Sequence, residues 1–148
     1  TSGTPYFLYT GAMTVQVIGW GGHASSFSNF QYAIGTAAAI SATGTVIGNA
    51  NVPSSAQTKV SGVMLYKNAY GTATIGTDIK IYFTCDNSAW TEAASYTTVT
   101  PVFSTGIIMV KLGETTCTSG SDIRYKAVWA NQVKDTKATQ LHGIGLNY

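Results

Sequence analysis

The sequence predicts an all-β protein built as an antiparallel two-sheet β-sandwich, and three observations point to this fold class. Strand-length segments with alternating apolar and polar side chains recur along the chain, which is the period of a half-buried strand. Turn-forming residues separate these segments, and the 148 residues include 16 Gly. No amphipathic helical pattern of useful length lies between them. Successive strands of this kind pack as two sheets around one core, and a jelly roll is the favoured arrangement.

The clearest strand and turn lie in residues 78–90. The side chains expected on the inner face of this strand are Ile79, Ile81, Phe83 and Cys85, with Lys80, Tyr82 and Thr84 on the other face. Asp86 and Asn87 follow, and both residue types favour turns through local hydrogen bonds. We therefore expect this segment to anchor the sandwich core.

The N-terminal third contains weaker signals. Residues 1–12 could form an extended entry segment of a single domain that spans residues 1–148, and residues 13–20 alternate as a strand. Residues 23–32 have the composition of a loop or hairpin. Residues 33–42 include three consecutive alanines, which favour a helix, but their glycine and threonine content favours a strand and turn. A short strand ending in a turn is expected at residues 46–53.

Later segments are more strongly patterned. Residues 60–68 are apolar on both faces, which indicates a central or covered strand. Residues 97–103 contain Pro101, which is typical of an edge strand. Residues 107–112 form an apolar core strand, and residues 113–121 are expected to form a polar loop that holds Cys117.

The C-terminal part completes the predicted sandwich. Residues 123–129 should turn Ile123, Tyr125, Ala127 and Trp129 inward and two basic residues outward. Residues 131–136 form a turn, and residues 139–148 form the last strand. We expect Trp90 and Trp129 in the core, and His142 in the core or on the sheet surface.

Composition restricts the classes of partner. Charged residues make up 9% of the chain, the formal net charge is +2, and the Lys and Arg residues are scattered from Lys59 to Lys137. Nucleic-acid binding requires a clustered basic face, so it is not expected. No apolar run approaches the roughly 18 residues of a membrane span, so membrane insertion is not expected. Two histidines and no closely spaced acidic cluster predict neither a metal site nor another cofactor.

The two cysteines, Cys85 and Cys117, leave two interpretations open. They could form a disulfide, which would stabilise the fold by roughly 3–4 kcal/mol in the chain-entropy model. Alternatively, Cys85 is a small apolar group on the inner face of its strand.

The second half of the chain, residues 60–148, also carries a family resemblance. The pattern Asp-Asn-x-x-Trp-Thr at residues 86–91, the segment 122–126 and the closing segment 140–148 resemble C-terminal β-sandwich domains of bacteriophage tail-fibre and other virion-surface proteins, especially from marine phages. The resemblance implies a non-enzymatic domain on the virion surface, in the extracellular space. It also implies that the domain forms a homotrimer and contacts other virion subunits. It also implies attachment to a host-surface glycan or an outer-membrane protein.

For a glycan ligand, aromatic residues in glycine-flanked loops are the expected contacts, which selects Trp20, His23 and Tyr70. A purely architectural module, which decorates a capsid or joins a fibre, is the alternative. A small glycan hydrolase is a third hypothesis, but it would need two positioned carboxylates. The chain has six Asp and Glu residues, and most of them lie in turn-like contexts.

Overall fold

A computed structural model describes residues 41–99 and 106–148, and every secondary-structure element in these two ranges is a β-strand. The strands are β1 (Ala42–Ile47), β2 (Gln57–Tyr70), β3 (Ile79–Thr84), β4 (Thr91–Glu92), β5 (Tyr96–Val99), β6 (Ile107–Gly120), β7 (Arg124–Gln132) and β8 (Ala138–Asn147). The predictions for residues 1–32, and almost all of residues 33–42, lie outside the described residues.

The strands form two antiparallel four-stranded sheets, in the orders β1-β7-β3-β4 and β5-β6-β2-β8. Three antiparallel pairs enclose one another along the sequence. The strands of the pair β3–β4 lie between β2 and β6, which pair with each other, and these lie between the paired strands β1 and β7. The two sheets pack against each other around one core, which is the arrangement of a β-sandwich. The predicted antiparallel β-sandwich is therefore confirmed, and β2 has the central position that its two apolar faces predicted.

The core lies between the two sheets and consists of the inward-facing side chains of both. The fully buried hydrophobic members are Val60, Met64, Ile79, Ile81, Phe83, Cys85, Val110, Leu112, Ile123 and Ala127. Four of these come from the predicted segment 78–90, so its role as the anchor of the core is confirmed. Lys80 and Tyr82, which alternate with them, are half-buried, whereas Thr84 at the end of β3 is fully buried and its hydroxyl donates to Asp86 at 2.8 Å.

The predicted turn after β3 is also confirmed. Asp86 Oδ1 accepts hydrogen bonds from the backbone N–H groups of Ser88 and Ala89, both at 2.9 Å. Asn87 has a φ of 55°, a left-handed conformation that Asn tolerates better than most residues. These bonds lower the pKa of Asp86, because they favour the charged carboxylate.

Two predicted boundaries are wrong. Residues 113–120 are not a polar loop but the second half of β6, because they pair with the start of β2. Thr115 and Cys117 are buried there while Glu114 and Thr116 are exposed, so the strand period continues after a register shift. The strand expected at residues 46–53 begins earlier and ends at Ile47.

A tyrosine hydroxyl connects the sheets near the edge formed by β4 and β5. The backbone N–H of Ile81 in β3 donates to the hydroxyl oxygen of Tyr96 in β5 at 2.9 Å. Burial raises the pKa of Tyr96 to about 12. The hydroxyl therefore supplies an acceptor to β3 at a point where the two-residue strand β4 has already ended.

Candidate functional site

The described residues form a shallow groove between β1 and β8, which we call the β1–β8 groove. It consists of two adjoining depressions of about 330 and 480 Å³ that share Tyr125. The residues lining them are Val46, Gly48, Asn49, Ala50, Asn51, Tyr125, Trp129, Thr139, Gln140, Leu141, His142, Gly143, Ile144, Leu146 and Tyr148. The groove lies at this margin because β1 and β8 are the outermost described strands of their respective sheets.

Tyr125 forms the shared wall, and its position depends on a glycine. Gly48 follows β1, and its backbone N–H donates to the carbonyl oxygen of Tyr125 at 2.9 Å. A Cβ at Gly48 would overlap the Tyr125 ring. Glycine at this position therefore lets the ring lie against the backbone of the segment after β1.

Trp129 lines the larger depression with a fixed orientation. Its indole Nε1–H donates to the carbonyl oxygen of Thr139 at 3.0 Å, so the polar edge of the ring is satisfied within the fold. The hydroxyl of Thr139 is buried and has no hydrogen-bond partner among the described residues. The indole is thus held by the same residue, Thr139, whose hydroxyl oxygen has no hydrogen bond in the described residues.

Amide and hydroxyl groups accompany these rings. Tyr148 is 47% exposed at one end of the groove, and Gln140 and His142 are exposed at the other. Asn49 and Asn51 lie near Tyr148, and Asn51 also donates from Nδ2 to the carbonyl oxygen of Ile123 at 3.4 Å. None of the lining residues is Asp, Glu, Lys or Arg. The groove therefore offers aromatic surface and neutral hydrogen-bonding groups.

The residues chosen from the sequence as ligand contacts are not the residues of this groove. Trp20 and His23 lie outside the described residues. Tyr70 is 52% exposed at the end of β2, next to Gly71 with its φ of 60°, but it lines neither depression.

Sequence reasoning missed Tyr125 and Tyr148 as candidate contacts. The period-two pattern assigned Tyr125 to the inner face, and the structure confirms that it packs against the core cluster. Alternation cannot show that this inner position lies at the margin between β1 and β8, the outermost described strands of the two sheets. The signal that was available is the Gly48-Asn49-Ala50-Asn51 segment, whose small and amide-bearing residues suit the wall of a shallow site.

The two predictions for other aromatic residues have different outcomes. Trp129 packs against the core as expected. Trp90 is only half-buried and lies on the outer face of its sheet, where the Lys126 ammonium is 4.7 Å from its ring centroid and 4.9 Å from that of Tyr82. The assignment of Trp90 to the core is wrong, because the turn before β4 brings its ring beside this lysine. His142 is exposed on β8, which is the sheet-surface alternative.

All six Asp and Glu residues of the chain are described, and each has a local role in the fold. Five of them form ion pairs: Asp78 with Lys137, Glu92 with Lys80, Glu114 with Lys59, Asp122 with Arg124 and, at 4.0 Å, Asp135 with Lys134. Asp86 closes its turn, and Asp135 is a turn residue with a φ of 57°. Neither depression is lined by an Asp or Glu side chain, so the groove contains no pair of side-chain carboxylates of the kind that glycoside hydrolysis uses.

In the described part of the chain, no group of three or more His, Cys, Asp or Glu side chains is placed to hold a metal ion. Within residues 41–99 and 106–148, no helix has the length and apolar character needed to cross a membrane.

Comparison of the chain with protein-family models, with curated proteins and with solved structures finds no match.

Proposed function

We propose that this protein is a non-enzymatic binding domain of a virion surface, and that its β1–β8 groove takes a neutral segment of a host-surface glycan. The observation that carries the proposal is the placement of Tyr125, Trp129 and Tyr148 in one shallow, uncharged groove. The virion setting and the host partner rest on the resemblance of residues 60–148 to tail-fibre domains.

The chemistry of the groove fits a sugar. A pyranose ring has an apolar C–H face that packs on aromatic rings, and hydroxyls around its edge that exchange hydrogen bonds with amides. Trp129 presents ring surface only, because its N–H is already bonded to Thr139. Asn49, Asn51 and Gln140 supply neutral donors and acceptors on either side of Tyr125.

The absence of charged residues among the lining residues favours a neutral ligand. A carboxylate or sulfate group placed in the groove would lose hydration without gaining a cationic partner, which is costly. His142 is the one histidine among the lining residues, and it is exposed at one end of the groove. We therefore expect hexose or N-acetylhexosamine oligosaccharides, rather than sialylated or sulfated ones, to bind.

The proposal is tested by titrating the full chain with neutral and acidic oligosaccharides of matched length and following the Trp fluorescence. We expect saturable binding of neutral sugars, with Kd values of about 10 μM to 1 mM for so shallow a site. Binding of acidic sugars alone would refute the claim that the ligand is neutral, but it would still be consistent with attachment to a glycan. A failure of every sugar, in an assembly that also fails to adsorb to host cells, would refute the attachment function.

An architectural role is the second candidate, and it is favoured by apolar side chains on and after β1. Val46, Ile47 and Val52 are 44%, 52% and 74% exposed, respectively. Exposed apolar side chains of this kind can pack on another subunit. A homo-oligomer that sediments as one species but neither binds glycans nor adsorbs to cells would support this candidate over attachment.

A further inference from the structure

The two cysteines meet in the core, although they belong to different sheets. Cys85 follows β3 in the first sheet, and Cys117 lies in β6 of the second sheet. They are 0% and 6% exposed and belong to the same hydrophobic cluster. Both are free thiols, and each thiol affects the pKa of the other.

The backbone around the thiols holds the two segments together without a covalent bond. The carbonyl oxygen of Cys85 accepts a hydrogen bond from the N–H of Asp122 at 2.8 Å. Gly120, three residues after Cys117, passes so close to Cys85 that a Cβ there would overlap the Cys85 carbonyl group. The fold itself therefore places the backbone at Cys85 against the segment that follows Cys117.

We infer that Cys85 and Cys117 are the site of an inter-sheet disulfide that forms when the protein meets an oxidising environment. The oxidant we assign is a small-molecule disulfide such as oxidised glutathione. One protein thiolate attacks a glutathione sulfur and displaces one glutathione thiolate, and the second protein thiolate then attacks the mixed disulfide and displaces the other. The protein loses two hydrogens and forms one S–S bond, while oxidised glutathione is reduced to two thiols.

The bridge would join the two layers of the sandwich and close a loop that contains β4 and β5. A cross-link of this kind restricts the unfolded chain more than the folded one. The stabilisation by the disulfide does not depend on the ligand of the β1–β8 groove. The disulfide and the proposed function can therefore be tested independently.

The reaction is expected to be slow while the core stays closed. Burial raises the pKa of the Cys85 thiol, and it raises that of Cys117 to about 11. Little thiolate, which is the reactive form, is therefore present near neutral pH. Exchange should proceed faster during folding, or in a denaturant concentration that opens the sheets.

The test uses the full chain, first reduced and then allowed to refold with oxidised glutathione. The product is unfolded without reductant, treated with an alkylating reagent and weighed by mass spectrometry. We expect a mass lower by two hydrogens, no alkyl groups, and a Tm about 6–12 °C above that of the reduced protein. In the Cys85→Ala variant, Cys117 should instead be alkylated or carry glutathione.

Three results would overturn the inference. They are two alkylated thiols in the refolded wild type, a stable glutathione adduct or disulfide-linked dimer as the main product, and an intramolecular bridge that lowers the Tm. None of these measurements requires a variant to fold, because the decisive comparison is between two redox states of the wild-type chain.

Discussion

The ammonium group of Lys137 lies 3.0 Å from Oδ2 of Asp78, across 59 residues of sequence. Asp78 is 2% exposed, and its carboxylate also accepts bonds from the backbone N–H of Thr74 at 2.8 Å and from the side-chain amide of Asn131 at 3.0 Å. One carboxylate thus joins the loop before β3, the end of β7 and the β7–β8 turn. Because β8 forms one side of the groove, this network helps to fix the site.

Asp78→Asn should lower the free energy of unfolding by about 2–4 kcal/mol, because charge-assisted bonds are lost and the neutral amide cannot accept all of them. Urea denaturation followed by circular dichroism measures the change. Glu114→Gln is the matched control, since Glu114 pairs with Lys59 where both side chains are about 60% exposed. The control should change stability by less than about 1 kcal/mol. Equal effects of the two substitutions would contradict the assigned role of Asp78.

Stability should also depend on acid pH through Asp78. Its pKa is lowered from 3.8 to about 2, first by the Thr74 backbone bond and then by the Asn131 and Lys137 bonds. The folded state therefore binds fewer protons than the unfolded state between these values. The stabilisation is fully present above about pH 4 and is lost as the pH falls toward 2.

Unfolding free energies measured from pH 5 to pH 2 should accordingly fall less steeply in Asp78→Asn than in the wild type. Some acid sensitivity should remain, because the pKa values of Asp86 and Asp122 are also lowered. Parallel curves for the variant and the wild type would mean that Asp78 does not titrate as described.

Tyr96→Phe should cost about 1–3 kcal/mol, because it leaves the backbone N–H of Ile81 without its hydroxyl acceptor. The change removes one oxygen and leaves the ring in place. Tyr82→Phe is the control, since the Tyr82 ring lies on the outer face beside Lys126. Thermal denaturation of both variants measures the difference, and an equal loss in Tyr82→Phe would argue against the connection between β3 and β5.

Gly48→Ala should disturb the groove through Tyr125, because the added methyl group would overlap the ring. We expect a loss of about 1–3 kcal/mol in stability, as for other overpacked sites. Gly143→Ala is the control, since a Cβ at Gly143 meets no atom within 4 Å. Near-ultraviolet circular dichroism should show a changed aromatic signal in Gly48→Ala only, and an unchanged signal would contradict the packing of this ring.

Alternation in the sequence was sufficient to predict the sandwich, because burial on one face imposes a period of two on each strand. This period correctly predicted the burial of Ile79, Ile81 and Phe83, which are fully buried in the structure. The second half of β6 was missed because Gly113, a shift of register and a run of Thr residues mask the period there. Only pairing with β2 shows that Thr115 and Cys117 face inward.

The groove was harder to predict than the core. Its walls come from β1, β7 and β8, which are distant in sequence and meet only after the strands nest. Glycine-flanked aromatics selected Tyr70, a residue at the end of a strand that lines neither depression. The position of an aromatic residue relative to the margin of the described sheets depends on strand order, and local sequence pattern does not determine strand order.

The most direct test of the central claim is the affinity of the full chain for a neutral oligosaccharide, measured by isothermal titration calorimetry for the wild type, Tyr148→Ala and Tyr70→Ala. The two tyrosines are comparably exposed, at 47% and 52%, but only Tyr148 lines the groove. Loss of a stacking ring should weaken binding by about tenfold in Tyr148→Ala, whereas Tyr70→Ala should bind like the wild type. Equal affinities of Tyr148→Ala and the wild type, or a loss confined to Tyr70→Ala, would contradict the assignment of the β1–β8 groove as the binding site.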